Sequence, residues 1–130
     1  MAVSWEIRGS ILVLTLVGEC GLEITKAFEE AMTDPRFLPG TSLLLDVRRS
    51  ADNPSSDEFR RRTELLGRRT ARGLASRCAL VIGPKPHQYG LARMASVHSE
   101  TKGIELEIFT EMEEALGWLE RAGESTLSAS

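Results

Sequence analysis

Histidine and cysteine are scarce in this sequence, with two of each in 130 residues. His87 and His98 stand eleven residues apart. Even on one helical face they would be separated by about 16 Å along the axis, too far to share a metal. Neither has a cysteine or carboxylate at ligand spacing, so no metal and no cofactor is expected. Cys20 and Cys78 have neither zinc nor redox-pair spacing and read as reduced thiols of a cytoplasmic protein. A Gly-x-Ser-x-Gly turn is missing, and the glycines at Gly83-Pro84 and Tyr89-Gly90 form no phosphate loop. These absences point away from an enzyme. The longest apolar run, Ile11–Val17, is interrupted by Thr15 and is too short to span a bilayer. No basic leader precedes it, so no signal peptide is expected. The net charge of −3 gives no reason to expect nucleic acid as a partner.

What is present is an ordinary globular composition, 42% apolar and 27% charged. A chain of this length can bury roughly two thirds of its unfolded surface without a staple. The expectation is one domain over residues 1–123 and a disordered tail over 124–130. Charge is unevenly placed. From Arg48 to Arg77 nine arginines face four carboxylates, while from Glu100 to Glu124 eight glutamates face Lys102 and Arg121. The basic stretch is either a patch that attracts anions or an acidic partner, or a solvated helix face.

The pattern organises around Ser42–Arg49. Leu43, Leu44, Leu45 and Val47 form an apolar run suited to a strand covered on both faces. Asp46 and the arginines mark its carboxyl end, where ligands of open α/β sheets usually bind. Before it, Gly9-Ser10 joins strands over 3–8 and 10–17 as a hairpin. Ile24, Ala27, Phe28 and Ala31 give a helix ending near Asp34-Pro35. After it, a second helix is expected to about Leu74, capped by Ser55 or Ser56. A strand over 77–82, a helix over 87–101, an edge strand over 104–109 and a helix over 111–122 ended by Gly123 follow. The order is ββαβαβαβα, a five-stranded, mostly parallel α/β sheet with an N-terminal hairpin and four helices.

The opening hairpin, Leu-Leu-Leu-Asp-Val at 43–47, Tyr-Gly-Leu-Ala-Arg-Met at 89–94, Ile-Phe-Thr at 108–110 and Ala-Leu-Gly-Trp-Leu at 115–119 together resemble the SpoIIAA-like family of the STAS superfamily. The resemblance implies a regulatory or protein-interaction module, with a homodimer or a protein partner. Through the likeness of that group to CRAL-TRIO domains, it also implies, as the alternative, a carrier or sensor of a small lipophilic molecule bound beneath the last helices. Phosphorylatable STAS proteins carry a motif like Asp-Ser-Ser-Gly after the central strand. Here Ser55 and Ser56 occupy a similar place without the aspartate or the glycine, and are the candidate phosphorylation sites.

Other site candidates come from the residues themselves. Asp46 is either a general base at a strand end or the partner of an arginine. The helix over 87–101 carries Tyr89, Ala92, Arg93 and Ser96 on one side and Leu91, Met94 and His98 on another. It packs between the sheet and the last helix. Alternatively, Leu91, Met94 and Trp118 line an apolar cleft or a dimer contact, with Tyr89 and Arg93 as polar handles at its rim.

Overall fold

The computed structural model describes residues 3–19, 23–51, 61, 64, 68, 74–84, 86–101 and 104–128. Strands β1 (Val3–Arg8) and β2 (Ile11–Gly18) form the hairpin, and Gly9 at φ 57° supplies the turn conformation that favours glycine. Helix α1 (Glu23–Met32) buries Ala27, Phe28 and Ala31 at the spacing its sequence sets. Then come β3 (Thr41–Ser50), β4 (Leu74–Val81), helix α2 (Pro86–Thr101), β5 (Glu105–Phe109) and helix α3 (Met112–Ser128).

The sheet has five strands in the order β1-β2-β3-β4-β5. The β1–β2 pair is antiparallel and the other three pairs are parallel. β3 is central. Its adjacent residues Leu43 and Leu44 are 1% and 0% exposed. Neighbours in a strand point to opposite faces, so both can be buried only if helices cover both faces.

The two faces have different covers. Leu12, Leu14, Leu43 and Cys78 meet Ala27, Phe28 and Ala31 of α1, and Leu80 meets Ala92 and Ala95 of α2 on the same face. Ile11, Val13, Leu44, Ala79 and Val81 point the other way and meet Ala115 and Leu119 of α3. This follows from topology. α1 joins β2 to its neighbour β3, and α2 joins β4 to its neighbour β5. Right-handed crossovers between adjacent strands put both helices on one face. α3 follows the last strand, makes no crossover, and closes the open face.

The fold class is as the sequence predicts, with three corrections. α2 does not lie between the sheet and α3, because the sheet separates them. β4 begins at Leu74 and pairs that residue with Thr41, where the reading ran a helix to Leu74. α3 does not stop at Gly123 but continues to Ser128. One glycine costs a helix interior only about 1 kcal/mol, and no proline follows to stop it. The expected helix before β4 falls mostly outside the described residues, of which Arg61, Glu64 and Arg68 are helical.

Candidate functional site

The polar chemistry of the described residues gathers at the carboxyl ends of β3 and β4. Opposite β2, β3 carries an extra residue. Thr15 pairs with Asp46, and two residues later Val17 pairs with Arg49, three residues on. Such a bulge re-aims side chains at a strand end. Asp46 is 6% exposed, the one buried carboxylate among the described residues. Arg48 donates Nε to its Oδ1 and Nη2 to its Oδ2, each at 2.9 Å, and the Arg48 backbone N–H donates to Oδ1 at 3.2 Å. Burial pushes the Asp46 carboxyl up. The Arg48 hydrogen bonds and the charges of Arg48 and Arg49 outweigh burial and hold it below its usual value. The Arg48 guanidinium is pushed up in turn, first by its hydrogen bonds to Asp46, with a further contribution from the charge of Glu111 just before α3.

A second polar link reaches the same place from the other face. Gln88, in the first turn of α2, is buried. Its Oε1 accepts the Gly83 backbone N–H, and its Nε2 donates to the Val47 carbonyl at 2.9 Å and the Ser50 carbonyl at 3.4 Å. One amide thus ties the end of β3, the end of β4 and the start of α2 together. Gly83 makes room for it. A Cβ there would lie 3.1 Å from the Arg48 carbonyl oxygen and 3.2 Å from Gln88 Oε1.

The groups at this edge use their hydrogen-bonding capacity on each other. Asp46, ionised and gripped on both oxygens, is placed as a structural partner of Arg48 rather than as a free base. Cys78 is fully buried, and burial pushes its thiol up to about 12, which removes thiolate reactivity at neutral pH. Among the described residues no cluster of three histidine, cysteine or acidic side chains could hold a metal. No helix among them is long and apolar enough to cross a membrane.

No family model and no curated protein matches the chain. Among solved structures, the chain is similar to the crystal structure of an uncharacterised protein of the DUF3478 family with a SpoIIAA-like fold, from Shewanella loihica PV-4. The two share 18% sequence identity over 91% of this chain and 92% of that one, with a TM-score of 0.58. The fold is SpoIIAA-like.

On this SpoIIAA-like fold the predicted site residues are scattered. Tyr89 and Arg93 are exposed on the outer face of α2, and Met94 is half-buried beside them. Leu91 lies in the same helix, and its side chain is outside the described residues, as are Ser55 and Ser56. Trp118 is on the opposite face of the sheet, half-buried against Phe109 with ring centroids 5.8 Å apart and planes at 47°. Met94 and Trp118 therefore share no cleft, because the sheet stands between their helices.

Sequence reasoning missed Gln88, Gly83 and Val97. Gln88 had one signal, as the only glutamine in the chain. Val97 is 63% exposed and Tyr89 52%, each about one helical turn from Arg93, so positions 89, 93 and 97 make one stripe.

Proposed function

We propose that this SpoIIAA-like domain is a non-enzymatic protein-interaction module that presents the outer face of α2 to a partner protein. One observation carries this reading: Tyr89 and Val97 stand exposed on either side of Arg93 on a helix that is fixed to the sheet by its other side. Gln88, Ala92 and Ala95 hold that inner side, so the outer stripe is pre-organised. Aromatic and arginine side chains are enriched where interfaces carry their binding energy. Arg93 asks for a carboxylate, set among apolar groups that meet Tyr89 and Val97.

The same arginine argues against a second copy on this face. Arg93 sits near the middle of α2. Antiparallel pairing of two such helices about their centres would set two guanidiniums together. The non-enzymatic part of the reading draws support from Asp46, whose proton is gone and whose oxygens are engaged by Arg48. A cytoplasmic location belongs to the same reading and is in keeping with the free, buried Cys78 thiol.

The test is site-specific photo-crosslinking in the producing cells. A crosslinking residue at position 97 is expected to capture one partner, lost on Arg93→Glu. A residue at Glu113, exposed on α3, is the control. Equal capture from both positions, or capture indifferent to Arg93→Glu, would refute the assignment.

A further inference from the structure

We propose that the partner presents an α-helix that crosses α2 at Gly90, its backbone seated where α2 has no side chain, with a carboxylate of that helix on Arg93. This crossing rests on the outer face of α2 being the interaction surface proposed above, and it names what that surface receives.

Glycine is the poorest helix former after proline, because it gives up the most backbone freedom on folding. Gly90 nevertheless stands inside α2, four residues after its first residue Pro86, and is exposed. The other glycines with described surroundings answer to the fold. Gly9, Gly18 and Gly40 have positive φ, and at Gly83 and Gly117 a Cβ would come within 3.1 and 3.3 Å of a neighbouring atom. Gly90 has neither reason. Its φ is not positive, and a Cβ built on it would meet nothing within 4 Å among the described residues. An alanine would fit there and favour the helix. The folded domain gains nothing from this glycine.

The place of Gly90 on the helix supplies a reason outside the domain. Gln88, Ala92 and Ala95 form the buried side of α2. Gly90 lies three residues before Arg93 and seven before Val97, so the three share one line on the opposite side. Two helices are convex and come closest at one crossing point, where side-chain size sets the distance between their axes within about 8–10 Å. Glycine at that point permits the near end of the range. Close approach then brings the flanking Tyr89 and Val97 onto the partner, whereas a Cβ at the crossing would hold the axes apart and lift both away. A loop can bend around a side chain at position 90, and a straight helix cannot, so the missing side chain matters most to a helix.

Charge sets the remaining feature. Arg93 is about 4.5 Å along the axis from Gly90, within one turn of the crossing. Among the described residues it has no hydrogen bond or ion pair. The crossing helix therefore carries an aspartate or glutamate about one turn from the point of contact.

The test reads stability and capture from the same full-length variants, with the crosslinking residue at position 97 in the producing cells. Gly90→Ala is expected to raise the melting temperature by about 3 °C and to cut the partner conjugate roughly tenfold. Gly90→Gln, also a better helix former, is expected to melt above the wild type and to abolish the conjugate. Peptide mapping is expected to place the crosslink in a helical segment with an acidic residue within one turn. A Gly90→Ala protein that melts below the wild type overturns the proposal, since the glycine then serves the fold. So does a crosslink in a non-helical segment or in a second copy of this chain. A conjugate lost on Arg93→Glu but kept in both Gly90 variants overturns the crossing alone and leaves the α2 surface standing. A wild type that gives no conjugate at position 97 overturns both.

Discussion

The Arg48 guanidinium grips the Asp46 carboxylate two residues earlier on the same strand, with both carboxylate oxygens engaged at 2.9 Å. Residues two apart on a strand share a face, so β3 carries its own counter-ion. Removing the cation strands a buried charge. Arg48→Ala is expected to cost about 2 kcal/mol at neutral pH, the loss of hydrogen bonds to a charged group, reduced because Arg48 itself is partly exposed. Urea unfolding measures this. A cost within error of zero would mean that water replaces the guanidinium.

The same pair sets an acid limit. The folded-state value of Asp46 lies below its ordinary value of about 3.9, so the unfolded chain takes up this proton first as pH falls. The stabilisation is fully present above the ordinary value and is lost as pH drops through the folded value. Asp46→Asn is expected to destabilise the domain at neutral pH and to flatten its stability curve below about pH 4. Unfolding midpoints of both proteins from about pH 2.5 to about pH 7, a span that covers the carboxylate range, are the check. Parallel curves would remove Asp46 from the acid response.

Gln88→Ala would leave the Gly83 N–H and the Val47 carbonyl without their partner, at an expected cost of about 2 kcal/mol. Amide exchange at Gly83 is expected to accelerate more than exchange within β2. Uniform acceleration across the sheet would mean that Gln88 stabilises the domain globally rather than pinning this edge.

Leu44 and Val97 test how the apolar residues divide. Leu44 is fully buried, and Leu44→Ala is expected to cost about 3 kcal/mol, while Leu44→Asp is expected to unfold the domain. Val97→Asp, on the outer face of α2, is expected to change stability by about 0.5 kcal/mol or less. Thermal melts compare them directly. A severe loss from Val97→Asp would place that side chain in the core.

Trp118 and Met94 stand on opposite sides of the sheet. Met94→Asp is therefore expected to leave the fluorescence maximum of Trp118 unchanged in a Trp5→Phe background, whereas Phe109→Ala is expected to shift it to the red. A shift from Met94→Asp would restore the idea of a cleft common to both helices.

Much of this arrangement was readable along the chain, and the part that was not has a physical reason. The run Leu43–Leu45 announces a strand buried on both sides, and it is the central one. For the same reason it cannot say which face each leucine takes, since apolar residues suit both. The separation of α2 from α3 depends on strand order, a tertiary property. Within α2, small residues do the packing. Ala92 and Ala95 are buried while Val97 and Tyr89 are exposed, so a reading that weights bulk assigns the faces wrongly. The Asp46–Arg48 pair was within reach, since its spacing of two on a strand already places both groups on one side. Gln88 was not, because its three backbone partners lie on two other strand ends.

The strand order β1-β2-β3-β4-β5 is also the order of synthesis. Each strand, once made, finds the edge it needs already folded, so the sheet can lengthen in step with translation and no early strand waits for a late one. α3 is the exception. Until α3 emerges, Ile11, Val13, Leu44, Ala79 and Val81 form a bare apolar surface on a nascent chain whose other side is already shielded. That interval, set by the chain's own sequence of events, is when this domain is most exposed to chaperones and to misassembly.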